Sequence, residues 1–289
     1  METAFYFIVN FLSYIIPVRL AHFLAKWIIV ALYSTFYRKQ RINVEKNLTY
    51  VFKSRLRGWE KKRLVLDTFL NFASFFYEFL IIKRINQKNF RNFLNPIGFE
   101  KVGKALKKEK GVIFITGHLG NWEWGASTLT YLGYPPIVIA NRFRNRFITK
   151  YFFDRRQQQG MEVVYLEDAV RKSLRKLRRN GLVAIVGDRN FTNQGVEVPF
   201  FGKETKFPTG AFLLGIRCGA PVIPTFAVRV GMCKYDVIFE NPIYFEGKSY
   251  KEEEVKKYLM KWVKTLEGYI RRYPNQWYRF EPFWVTEEK

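Results

Sequence analysis

Cysteine and histidine are nearly absent from the 289 residues, with two of each: Cys218 and Cys233, His22 and His118. The cysteines stand fifteen apart, with no CxxC and no histidine beside them. That excludes a disulfide framework and a zinc site, and leaves two reduced thiols and no expected metal. A protein nucleophile is missing too: there is no G-x-S-x-G, and neither cysteine is flanked as a catalytic thiol would be. Acidic residues are scarce, 25 Asp and Glu against 49 Lys and Arg, for a net charge of +24 and a pI near 10. Such a field has to meet something anionic: nucleic acid, an acidic lipid surface or an acidic carrier protein. Aromatic residues make up 18% of the chain, 29 of them Phe. That is heavy for a nucleic-acid binder, so no nucleic acid is expected and the excess points toward lipid.

An uninterrupted membrane-spanning run is also lacking. Residues 3–37 are apolar but broken by Pro17, Arg19, His22 and Lys26, and the run from Ala4 to Val18 is 15 residues, short of the roughly 20 a spanning helix needs. There is no basic region before it and no small-residue cleavage pattern, so it is not a cleavable signal peptide. The reading is a membrane-associated helix over 1–37 that lies in one leaflet, with Arg19 and Lys26 reaching the headgroups; a spanning helix is the alternative. His22, with no patterned carboxylate near it, is read as interfacial. The basic cluster Arg38, Lys39, Arg41 and Lys46 then faces the cytoplasm or docks on anionic headgroups. Either way the remainder, 38–289, is one domain on the cytoplasmic side of the membrane.

From about 42 to 93 the apolar spacing is helical, which predicts a helical cap. After Gly98 come short β-branched runs, "GVIFITG", "PPIVIA", "MEVVYL", "LVAIVGD", "PVIPTFAVRV" and "YDVIFE", most of them separated by segments of helical length. This alternation predicts an α/β fold with a largely parallel central sheet flanked by helices. In "DAVRKSLRKLRRNG" the spacing puts Val170, Leu174 and Leu177 on one face, with Gly181 as the stop. Its cations form either a solvated face or an anion-binding surface.

His118 and Glu123 in "GVIFITGHLGNWEWG" follow directly on a predicted strand, at the sheet end where ligands bind in open α/β folds. A neutral imidazole accepts a proton from a hydroxyl when a carboxylate on its other ring nitrogen fixes tautomer and orientation. Five residues along a helix place two side chains roughly 140° apart, so the pair meets only if His118 lies in the loop that Gly117 and Gly120 loosen. By spacing alone the pair is as readily a packed histidine and a glutamate favoured by a helix dipole. A general base without a protein nucleophile fits direct attack of a substrate hydroxyl on an activated acyl group.

"GHLGNWEWG", then "DRNFTNQGVEVPFFGKETKFPTGAFLLGIRCGAPVIP", then "PNQWYRFEPFW" together resemble the bacterial lipid A biosynthesis acyltransferases of the lysophospholipid acyltransferase superfamily, over nearly the whole chain. The resemblance implies a glycerolipid acyltransferase-like fold and transfer of a fatty acyl chain to a hydroxyl of a lipid A precursor or related glycolipid. The donor would be an acyl carrier protein or CoA thioester as co-substrate, with no cofactor. Partners would be acyl carrier protein, an anionic membrane surface and the glycolipid acceptor. It implies His118 as base and Glu123 as its orienting partner. Arg142, Arg156, Asp188 and Arg189 become candidates for substrate binding or oxyanion stabilisation. In the family an Arg at the position of Arg142 usually precedes Pro; Phe143 stands there instead. Val198, Pro199, Phe200, Phe201 and Gly202 become candidates for the acyl-chain wall, although a buried turn would read the same. Trp277, Arg279, Phe283 and Trp284 depart from the family's usual tail. The alternatives are a lysophospholipid, glycerol phosphate or inositol mannoside acceptor, or a non-enzymatic protein that binds anionic membrane or nucleic acid.

Overall fold

The computed structural model describes residues 16–53, 55–190, 194–247 and 249–284. The chain forms two compact units. The first holds the described residues up to Ile82, the tripeptide Phe201–Lys203 and the chain from Glu267 onward. Its helices are α1 (Val18–Thr35), α2 (Arg38–Phe52) and α3 (Gly58–Leu80). Val44, Leu48, Val65 and Phe69 form its core, with Ile29, Tyr33 and Phe280 packed around them. The predicted helical stretch is broken where Lys53 turns left-handed at φ 49° and closes α2. The next helix opens with the Arg57 N–H donating to Glu60.

The carboxyl-terminal tail belongs to this unit. Asn43 and Asn47 donate their amides to the carbonyls of Phe280, Arg279 and Glu281, and Asn47 Oδ1 accepts from the Phe283 N–H. Trp284 packs on Tyr50, Phe201 and Trp277. These tail aromatics therefore have a packing role within the first unit. His22 is not interfacial: it is 3% exposed, its Nε2 lies 3.8 Å from Glu78, and its ring meets the edge of Tyr77.

Most of the apolar run Ala4–Val18 lies outside the described residues. Among the described residues no single helix is long and apolar enough to cross a membrane; α1 and α2 would do so only as a pair bent by 96°. α1 nonetheless exposes Leu20, Phe23, Trp27 and Ile28.

The second unit is an α/β sheet. Its strands are β1 (Leu94–Ile97), β2 (Val112–Thr116), β3 (Pro136–Ala140), β4 (Glu162–Tyr165), β5 (Leu182–Val186), β8 (Val222–Gly231) and β9 (Lys234–Phe239), in the order β1-β9-β8-β2-β5-β3-β4. Neighbours pair in parallel except β8 with β9. All six runs expected as strands are strands. β1, which contains Pro96, was not expected, and edge position explains why the proline is tolerated. A separate hairpin joins β6 (Val196–Phe200) to β7 (Lys203–Phe207).

The helices are α4 (Glu100–Leu106), α5 (Trp122–Tyr131), α6 (Arg146–Gln158), α7 (Leu166–Arg178), α8 (Gly210–Cys218) and α9 (Glu252–Arg272). In α9, Val255, Leu259, Trp262, Val263 and Leu266 recur at three- and four-residue spacing and are buried, each such side chain being worth about 1.5–3 kcal/mol relative to exposure. In α7 the buried face is Ala169, Ser173 and Leu177, while Val170 is 57% exposed. The face is thus rotated by one residue from the expected one. The left-handed stop is Asn180 at φ 56° and not Gly181, and Asn180 also accepts from the Gly111 N–H and donates to the Leu106 carbonyl. Both cysteines are free thiols, Cys233 buried.

Candidate active site

Parallel register assembles the centre of the site. β2 and β5 pair with Thr116 opposite Val186, and the Gly187 N–H donates to the Thr116 carbonyl at 2.8 Å. His118 and Asp188 each lie two residues past that pair, at the carboxyl ends of adjacent strands. Asp188 Oδ2 accepts the His118 backbone N–H at 2.9 Å, and Oδ1 lies 2.6 Å from the ring Nδ1. One carboxylate thus grips both the backbone and the ring of the same residue.

Asp188 is 3% exposed. Burial pushes its carboxyl up, but the His118 imidazole, its hydrogen bonds and the nearby Arg189 charge outweigh burial and hold it below the usual carboxylate range. An ionised Asp188 accepts hydrogen bonds only, so the proton between the two groups sits on Nδ1, and in the neutral ring the lone pair is on Nε2. Nε2 has no hydrogen-bond partner among the described residues, and the His118 side chain retains 17% exposure.

Two glycines let this loop form. A Cβ on Gly117 would crowd the Asp188 carboxylate at 3.3 Å and Leu266 at 2.9 Å. Gly120, at φ 64°, lies so close to β8 that a Cβ would sit 1.9 Å from the Ala227 carbonyl oxygen. The same carbonyl accepts the Asn121 N–H at 2.8 Å. Asn121 then caps α5, its side chain accepting from the Trp124 N–H.

Glu123, expected to hold the imidazole, is bound by Arg156 instead. It is the second residue of α5 and binds Arg156 through two parallel bonds: Nε to Oε2 at 2.9 Å and Nη2 to Oε1 at 2.6 Å. α5 begins at Trp122 and leaves His118 in the loop, as a meeting with Glu123 would require, but the Arg156 guanidinium takes both oxygens of the glutamate. The side chains of Glu123 and Arg156 are 4% and 14% exposed. Burial pulls the guanidinium pKa down, but Glu123 more than compensates and Arg156 stays cationic. Each charge also suits its helix end, the acid at the start of α5 and Arg156 in the last turn of α6.

The remaining candidates divide. Arg189 adjoins Asp188 and acts on its charge. Arg142 lies at the rim, its guanidinium 3.9 Å over the Tyr165 ring and 3.4 Å from Glu167. Val198 and Phe200 are buried in the hairpin, Phe200 against Phe207 and Phe207 against Trp262. Phe201 and Gly202 form its turn at φ 52° and 85°. Pro199 is exposed. An apolar cavity of about 40 Å³ lies under α5, lined by Thr116, Trp122, Gly125, Leu129, Ala184 and Ala227 among others. Among the described residues, none of Val198–Gly202 lines it. Trp122, one of its lining residues, meets the His118 ring edge-on at 4.9 Å between centroids.

Sequence reasoning missed the imidazole's true partner, 70 residues away, although an aspartate ending a neighbouring strand was the signal that could have found it. It also missed that Arg156 is the counterpart of Glu123.

Residues 1–286 match the family described as bacterial lipid A biosynthesis acyltransferase. The chain is similar to a phosphatidylinositol mannoside acyltransferase of Mycobacterium tuberculosis, 23% identical over 233 residues that cover 75% of this chain and 69% of the relative. A protein of the same description from Mycolicibacterium smegmatis is 22% identical over 228 residues, covering 78% and 73%.

Proposed function

The chain belongs to the bacterial lipid A biosynthesis acyltransferase family and is an O-acyltransferase, and we propose that it moves a fatty acyl group from an acyl carrier protein thioester to a hydroxyl of a lipid A precursor or related glycolipid. The observation that carries this reading is the imidazole locked by Asp188 at the sheet's carboxyl edge, with Nε2 unoccupied. In the proposed reaction Nε2 takes the proton of the acceptor hydroxyl and Asp188 stabilises the imidazolium. The acceptor oxygen attacks the thioester carbonyl. As the tetrahedral intermediate collapses, the C–S bond breaks and the imidazolium returns its proton to the leaving sulfur. No acyl-enzyme forms. Arg189 beside Asp188, and Arg156 held by Glu123, supply positive charge near the developing oxyanion. The apolar cavity under Trp122 supports a site for part of the acyl chain.

The exposed apolar side chains of α1 and the net charge of +24 support action at the cytoplasmic face of an anionic inner membrane. A second acceptor, an inositol mannoside, is favoured by the description of the mycobacterial relatives as phosphatidylinositol mannoside acyltransferases.

Purified protein given labelled acyl donor and glycolipid acceptor is expected to move label into lipid. His118→Ala should reduce transfer by about 10²- to 10⁴-fold, with the circular dichroism spectrum unchanged. A folded His118→Ala protein with wild-type transfer overturns the reading. Mass spectrometry of lipids from a deletion strain, seeking a species lighter by one acyl group, identifies the acceptor.

A further inference from the structure

The segment "NRFRNRFITK", 141–150, leaves β3 at the same sheet edge as His118 and Asp188, because β2, β5 and β3 run parallel side by side. It carries Arg142, Arg144, Arg146 and Lys150 and no acidic residue. Two phenyl rings stand out among these cations, Phe143 at 45% and Phe147 at 57% exposure. The backbone beneath them is firmly held. Thr149 Oγ1 accepts from the Phe143 N–H at 2.9 Å and donates to the Phe143 carbonyl, and Asn145 caps α6 by accepting from the N–H groups of Phe147 and Ile148. Phe143 also rests on Phe152, one turn before Arg156. Arg142 and Lys150 pair with Glu167 and Asp154, whereas Arg144 and Arg146 have no ion pair among the described residues.

We propose that 141–150 is a docking surface for an anionic lipid bilayer, which sets the catalytic edge of the sheet against the leaflet that holds the acceptor. The proposal rests on the reading of the acceptor as a membrane glycolipid. Cations alone would suit an acidic protein equally. Phenyl rings exposed between them suit the interfacial layer, where a ring enters the headgroup boundary while guanidinium groups meet phosphates. Since α6 runs from this surface to Arg156, contact with lipid bears on the same helix that completes the buried ion pair.

The test is hydrogen–deuterium exchange of the full chain, read at the peptide covering 141–150, so that membrane contact by the apolar amino-terminal region does not obscure the result. Exchange there is expected to slow on phosphatidylglycerol–phosphatidylcholine vesicles, to remain unchanged on phosphatidylcholine alone, and to recover as salt is raised. Arg144→Gln with Arg146→Gln should weaken the vesicle affinity that this protection reports by roughly 25-fold at low salt, and Phe147→Ser should weaken it as well. Acyl transfer to a detergent-dispersed acceptor should stay near wild type in both, while transfer to a vesicle-embedded acceptor falls. Equal protection on neutral and anionic vesicles, or protection by acyl carrier protein in place of vesicles, overturns the proposal. Protection without any acyl transfer by the wild type would sink the proposed reaction and leave the surface standing; transfer without protection would sink the surface alone.

Discussion

Two buried acid–base pairs lie at the carboxyl end of the sheet, and they are built for opposite purposes. Asp188 faces an imidazole, a group that can accept and donate a proton, and the pair leaves one ring nitrogen without a hydrogen-bond partner among the described residues. Glu123 faces a guanidinium, which does not exchange a proton, and the two parallel bonds occupy both of its oxygens. The first pair suits chemistry and the second suits fixing α6 to α5 and holding a charge in place. Proximity in sequence had suggested the reverse partnership for Glu123.

The comparison breaks most visibly at Asp188. Asp188→Asn keeps the shape but offers one acceptor oxygen to two donors, the ring and the backbone N–H of His118. The expected loss is about 10³- to 10⁴-fold in kcat, the scale seen when a catalytic triad's buried aspartate is neutralised. KM for the acceptor should change little, and the circular dichroism spectrum should be that of a folded protein, with a lowered melting temperature because one His118 donor loses its acceptor. A mutant with wild-type kcat would show that the pair is architectural.

Glu123→Ala should act first on stability. It strands a buried guanidinium, which lowers the unfolding free energy by about 3–5 kcal/mol, measurable by urea denaturation. Replacing both partners, Glu123→Leu with Arg156→Met, should recover most of that stability but not the activity. If the single mutant unfolds at the wild-type urea concentration, Arg156 has a second counterion.

The smallest effect is in pH. The folded pKa of Asp188 is depressed below the ordinary 3.8, so its contribution to stability is full above that value and is lost as pH falls toward the folded one. Urea midpoints of the wild type should therefore decline more steeply below pH 3.8 than those of Asp188→Asn. Parallel curves would mean that the carboxylate gains nothing from the imidazole.

Much of the fold could be read from the sequence because β2, β3 and β8 are buried over most of their length and β5 exposes no residue, so all four appear as continuous apolar runs. The break between α2 and α3 escaped because Lys53 makes the left-handed turn usually left to glycine. The turn at 198–202 was open as an alternative to an acyl-chain wall, but a phenylalanine, Phe201, at positive φ within it was not expected. For the site, His118 was legible from its place after a strand. Its partner was not, because strand order is not written in any local pattern: β5 neighbours β2 although two strands and three helices intervene in the chain.

The contact of Gly120 with the Ala227 carbonyl has a practical consequence for redesign. The turn that carries His118 rests directly on a strand's main chain, so its aim is set by the sheet, and a single added methyl at Gly120 would displace it. Libraries that seek new acceptors or acyl lengths should hold 117–121 constant and vary the walls around it, much as one changes a lens mount and leaves the optical bench alone.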